Sequence, residues 1–245
     1  MLHHLCDFSF NILFSVYNSA VSSITQQLPQ LKTMTQKENN TVEVQSSSDV
    51  EAHRKKMQKQ KEKIDESIAA ANEERGVAIL LTGDGKGKTS SAFGMVIRAL
   101  GYGKRVGVIQ FIKGAQQCGE GDFLKRMCPE VAFHQMGTGF TWDTQDKAGD
   151  IVAAEKTWAI AESMLADSSY DLVILDELTY MLGYKYLDKA RVVNALKNRP
   201  VEQSVVITGR GGGRELREIM DTVSEVKDIK HAYRAGIKAR EGVDY

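Results

Sequence analysis

Seven consecutive residues, Gly83-Asp84-Gly85-Lys86-Gly87-Lys88-Thr89, bring together the groups that hold a phosphorylated ligand. Glycines let backbone N–H groups turn inward around an anion, an approach that a Cβ would block. Lys88 adds a full positive charge, Thr89 offers a hydroxyl where a Mg²⁺ ion accompanying phosphates must sit, and Ser90 completes the binding run. A second chemical stretch is Asp176-Glu177, which ends the apolar run 172–175. Carboxylates at the end of a buried parallel strand bring negative charge up to a metal-bound phosphate, so Thr89, Asp176 and Glu177 are the candidate metal ligands. The plain alternative for the acid pair is a core strand ending in an acidic turn.

The loop departs from the usual G-x-x-x-x-G-K-[ST] spacing, because the first glycine stands at Gly83 where the pattern expects it at Thr82. It also carries a second lysine, Lys86, and an acid, Asp84. Such a loop is built for more phosphate charge, or for another nucleotide pose, than a routine nucleotide-hydrolysing loop. A glycine-rich turn with a chance lysine is the bland reading, and the elements on either side tell against it. Residues 77–81 form a short apolar run of strand type, and 90–100 carry apolar residues at helical spacing. Strand, glycine loop and helix start are the context a phosphate site needs, with the helix dipole adding positive potential.

The remaining elements place these groups at one edge of a sheet. Buried strands are expected at 105–112, 170–177 and 203–208, with a short one at 131–136 and a last one at 226–231. Helices are expected at 146–166, 188–197 and 215–223, and a short polar helix or loop at 119–127. Strands alternating with helices predict an α/β fold, a mostly parallel sheet with helices on both faces. Ligands of such sheets bind at the carboxyl ends of strands. The Gly83 loop, Asp176-Glu177 and Gly209-Arg210-Gly211-Gly212-Gly213-Arg214 all fall at such ends and can converge on one crevice. Arg98, Arg210 and Arg214 are candidate contacts to phosphate or amide groups, with ordinary surface placement the competing reading.

Composition narrows the class. The 245 residues hold 32 Lys plus Arg against 32 Asp plus Glu, a balance that gives no support to broad nucleic-acid binding. Cys6, Cys118 and Cys128 are scattered, which fits reduced thiols in a cytoplasmic enzyme and neither a disulfide framework nor a zinc site. No run is long enough to span a bilayer, so no membrane association is expected. Residues 1–50 match no domain pattern and are expected to be disordered or an upstream extension, with Met34 as the alternative start. Residues 51–75 are highly charged, with a thin apolar stripe at Met57, Ile64, Ile68 and Ala71, as in a helix lying over a surface or one that is simply solvated. None of the five histidines sits in a nucleophile motif, and His134, in an apolar run, is expected to be a core residue. The reaction should then depend on charge stabilisation and positioning more than on acid–base work. From the residues alone, the chain is a Mg²⁺–nucleotide enzyme or switch.

The segments TGDGKGKTSSAFG, RVGVIQFIKG, TGFTWDTQ, LDELTYMLGY, VVITGRG and GVDY, in this order, closely resemble the P-loop type of corrinoid adenosyltransferase. The resemblance covers about residues 51–245 and implies a P-loop NTPase-like fold for 76–245. It implies transfer of the 5′-deoxyadenosyl group of ATP to the cobalt of reduced cobalamin and precursor corrinoids, with release of triphosphate. Mg²⁺ or Mn²⁺ would accompany the nucleotide. Lys86 and Lys88 would stabilise the triphosphate, and the whole run 83–90 would bind ATP, in a pose reversed from that of ordinary P-loop enzymes. Phe140 and Trp142 match the family's aromatic pair beside the corrin, which displaces the lower axial ligand of cob(II)alamin. The helix within 51–75 would cap the corrinoid site of the other subunit in a homodimer, and a reduced flavoprotein would supply electrons. Two rivals remain from the residues: a P-loop ATPase or kinase cleaving the β–γ bond, and a non-catalytic nucleotide- or corrinoid-binding module. A cobalamin-dependent mutase subunit is disfavoured by the lack of a D-x-H-x-x-G signature.

Overall fold

The computed structural model describes residues 47–112, 118–137 and 146–244, in two compact units divided between Asn72 and Glu73. The described part of the first unit is one helix, α1 (Ser47–Ala70). Its ion pair at helical spacing, Lys55 with Glu51, is exposed, and so are Met57, Ile64 and Ile68. The helix begins before the expected 51 and stops before 75. Arg75 belongs instead to the second unit, where its guanidinium grips both Asp221 carboxylate oxygens at 2.9 and 2.7 Å.

The second unit is built on a six-stranded parallel sheet in the order β3-β2-β4-β5-β1-β6. The strands are β1 (Ala78–Thr82), β2 (Val106–Gln110), β3 (Ala132–Gln135), β4 (Leu172–Asp176), β5 (Ser204–Thr208) and β6 (Thr222–Glu225). Every residue of β2 and β4 is buried, as befits central strands covered on both faces. The side-chain alternation sorts the core into two layers. Leu80, Ile109, Val173, Leu175, Val205 and Ile207 pack with the helices α4 (Lys147–Ala166), α5 (Leu178–Gly183), α6 (Lys189–Lys197) and α7 (Gly213–Glu218). Leu81, Val106, Val108, Leu172, Ile174 and Val206 pack with α2 (Lys88–Gly101) and α3 (Gly119–Met127). Arg191 of α6 bridges Glu155 and Glu162 of α4 at 2.7 Å each, locking two helices of the first layer together.

Three expectations are corrected here. Residues 215–223 are not one helix: α7 ends at Glu218, and Thr222–Glu225 is the edge strand β6, while 226–231 holds no strand. All four residues of β6 are exposed, so it lacks the apolar pattern that marks the other strands. Backbone pairing with β1 defines it, from Asp221 N–H on the Ala78 carbonyl to Val226 N–H on the Thr82 carbonyl. His134, expected in the core, is exposed on the edge strand β3.

Candidate active site

The carboxyl ends of β1, β4 and β5 open onto a cavity of about 880 Å³. One wall is the glycine loop and the start of α2, from Asp84 through Ser90. The loop is shaped by the chain that follows β6. Gly85 N–H donates to the Val226 carbonyl at 2.8 Å, and a Cβ on Gly83, whose φ is +99°, would come within 2.4 Å of the same oxygen. Only glycine fits that approach and that backbone angle. The α2 N-terminus has Gly87 as its cap with no side-chain cap bond, and its first residues Lys88, Thr89 and Ser90 line the cavity.

Lys88 is buried, and its Nζ donates to the Gly85 carbonyl at 2.8 Å. Burial pushes its ammonium below the ordinary lysine value, and the Glu177 charge opposes that shift. Lys86, half exposed, reaches the Asp244 carboxylate at 2.9 Å. Gly83 is not in the cavity lining, whereas Asp84, Gly85, Lys86, Gly87, Lys88, Thr89 and Ser90 all are.

The acid pair divides. Glu177 lines the cavity, held in a left-handed turn (φ 62°) with its N–H on Thr208 Oγ1 at 2.9 Å. Asp176 is fully buried and outside the cavity lining. It accepts from Gln110 Nε2 at 2.9 Å and from Thr208 Oγ1 at 2.6 Å. Gln110, Asp176 and Thr208 each follow the α2-side residues of their strands by two, so alternation stacks all three under the loop.

Of the three candidate arginines Arg210 lines the cavity, and beyond the expected residues so do Tyr180, His231 and the run Gly242, Val243 and Asp244. Arg210 lies 3.7 Å from Asp84, whereas Arg214 pairs with Glu218 at 2.6 Å and, like Arg98, is not in the wall. Thr179 Oγ1 fixes the Arg210 loop by donating to its carbonyl at 2.8 Å. The Tyr180 hydroxyl is raised above its ordinary pKa by burial and by Glu177, so it stays protonated. The lining also has apolar side chains, Phe93 and Ile97 from α2 and Phe123 and Leu124 from α3. Thr89, Phe93 and Ile97 recur every four residues, a helical spacing that could have marked this face in the sequence. Residues 242–244 belong to the GVDY segment of the resemblance, but nothing in their types or spacing marks them as part of the lining. Phe140 and Trp142 lie outside the described residues.

The donors fit a hard divalent cation. Thr89 and Glu177 both line the cavity and offer oxygen. Among the described residues no three His, Cys, Asp or Glu side chains gather into a metal cluster. Sparse protein ligation of this kind is the habit of Mg²⁺, which keeps waters and substrate phosphates in its shell.

With cations and a glycine loop together with apolar side chains in its lining, the cavity suits a polyphosphate beside a large, less polar group. Comparison with known proteins agrees. A corrinoid adenosyltransferase of Escherichia coli K12 is 52% identical over 196 residues, covering 80% of this chain and 98% of that protein. One from Pseudomonas aeruginosa is 51% identical over 193 residues, covering 79% and 95%. The corrinoid adenosyltransferase CobA of Salmonella typhimurium is 49% identical over 196 residues, covering 80% and 98%. The profile of the ATP:corrinoid adenosyltransferase BtuR/CobO/CobP family matches residues 74–245, and the chain belongs to that family.

Proposed function

We propose that this chain transfers the 5′-deoxyadenosyl group of ATP to the cobalt of a reduced corrinoid. The observation that carries the reading is the placement of Lys86, Lys88 and Arg210 with the glycine loop around one cavity that is also lined by the apolar side chains Phe93, Ile97, Phe123 and Leu124. Cob(I)alamin is itself a strong nucleophile. Its cobalt electron pair forms the bond to the ribose C5′ while the C5′–O bond breaks and its electrons leave with triphosphate. No protein base is required, in keeping with a site rich in charge. The loop amides, Lys86 and Lys88 hold the triphosphate and stabilise its developing charge. Thr89 and Glu177 would hold Mg²⁺ or Mn²⁺, which when bound neutralises part of the polyphosphate charge. Asp176 acts behind them, fixing Thr208 and through it the Glu177 backbone.

Phe140 and Trp142 are assigned to the lower face of the corrin, where an apolar wall leaves cobalt four-coordinate and easier to reduce. The helix α1 is assigned to cap the corrinoid site of a second copy in a homodimer, a role its thin apolar stripe suits. A reduced flavoprotein is the proposed electron donor, and the cytoplasm the proposed location. Among the described residues no helix is long and apolar enough to cross a membrane.

Mixing the protein with Mg·ATP and chemically reduced cobalamin tests the reading. The expected products are a light-sensitive cobalt–carbon corrinoid and inorganic triphosphate in equal amounts. ADP and phosphate would point to β–γ cleavage, and binding without turnover to a non-catalytic module; either would overturn the proposal.

A further inference from the structure

The run Gly242-Val243-Asp244 lines the cavity although no part of the phosphate loop's own sequence specifies it. It is held in a tight turn. Asp244 N–H donates to the Arg240 carbonyl at 2.8 Å, Val243 N–H donates to the same oxygen at 3.2 Å, and Arg240 N–H returns a bond to Asp244 Oδ2 at 2.9 Å. That return bond fixes one carboxylate oxygen and leaves Oδ1 facing Lys86 Nζ at 2.9 Å. The Lys86 stem is otherwise a flexible chain, nearly half exposed, on a loop whose next residue is glycine.

The geometry points to Asp244 as a positioning residue for the reaction: it aims the Lys86 ammonium into the cavity, toward the polyphosphate of the bound nucleotide. This rests on the reading of the cavity as the ATP site. A lysine ammonium carries three N–H donors, so one bond to Asp244 leaves two for phosphate oxygens. A lysine held at one point loses less freedom when the ligand arrives, which strengthens binding. The Lys86 ammonium and then the Arg240 N–H hold the Asp244 carboxyl below its ordinary range, with the nearby His231 adding to the effect. The carboxylate is therefore charged throughout the neutral range, and the pair is a standing feature of the cavity rim.

Equilibrium titration of the full chain with a fluorescent ATP analogue and Mg²⁺, without corrinoid, tests the assignment in a double-mutant cycle. Asp244→Asn should weaken binding by about tenfold, the worth of one charge-assisted contact. Asp244→Glu should restore most of it. On a Lys86→Ala background, Asp244→Asn should change nothing further, whereas a merely structural role would add its loss to that of Lys86→Ala. Unchanged or tighter binding by Asp244→Asn, or additive losses, overturns the assignment. If the wild-type chain binds no nucleotide, the reading of the cavity falls together with it. Normal wild-type binding with an unaffected Asp244→Asn removes the assignment alone. Melting curves of each variant separate local from global effects.

Discussion

Lys88 Nζ and the Gly85 carbonyl oxygen are 2.8 Å apart, so the buried lysine of the phosphate loop is bonded to the loop's own backbone. The same ammonium feels the charge of Glu177, which lines the same cavity. Its position is thus set by two strands' worth of structure, β1 through the loop and β4 through the acid, before any ligand is considered.

Lys88→Ala should abolish adenosyl transfer, since removal of one preorganised donor to a developing charge costs about 3 kcal/mol or more, a hundredfold in rate. Single-turnover formation of adenosylcobalamin from chemically reduced cobalamin measures it, and wild-type rates would contradict the role. Burial lowers the pKa of this lysine, so its charge is lost at a lower pH than that of a free lysine. Nucleotide affinity should therefore decline on the alkaline side before pH 10.5, and Lys88→Arg should move that decline upward.

Asp176 and Glu177 should separate by phenotype. Asp176→Asn turns an N–H donor toward either Gln110 Nε2 or Thr208 Oγ1, which are both donors to the native carboxylate. Leaving a buried donor unmatched should cost about 1–3 kcal/mol of stability, read as a lower melting temperature. Glu177→Gln should leave melting nearly unchanged and weaken Mn²⁺ binding in the presence of ATP, followed by electron paramagnetic resonance. The opposite pattern would place Asp176 at the cation.

Phe140→Ala and Trp142→Ala should slow turnover that starts from cob(II)alamin with a weak reductant far more than turnover from pre-reduced cob(I)alamin. The reason is that an apolar wall in place of the axial ligand matters to the reduction of cobalt and little to the attack on C5′. Equal losses from both starting states would argue against ligand displacement.

Asp221 ties the chain entering β1 to the chain entering β6, through both guanidinium bonds of Arg75 and the Ala78 N–H at 2.7 Å. The Arg75 guanidinium first, then that N–H, depress its pKa from 3.8 to about 2. A carboxylate with a depressed folded-state pKa contributes stability above its unfolded value and loses it as pH falls toward the folded one. The contribution is about 1 kcal/mol once solvent screening of the half-exposed arginine is allowed for. Asp221→Asn should lower the melting temperature at pH 7 and flatten its dependence on pH between 3.8 and about 2. An unchanged acid limb would contradict this.

The sequence by itself determined the phosphate loop, the four central strands and the meeting of their carboxyl ends, because those features are local. A glycine run between an apolar strand and an amphipathic helix has one reasonable conformation, and strands buried on both faces are apolar almost throughout. The tertiary structure alone decided which member of the acid pair reaches the cavity, because that depends on the left-handed turn at Glu177 and on Gln110 and Thr208 arriving from other strands to take up Asp176. It also decided that β6 exists, since an exposed edge strand is defined by backbone pairing that leaves no mark on side-chain pattern. The turn that carries Asp244 to Lys86 is of the same kind: a contact between residues far apart in the chain, written in neither neighbourhood.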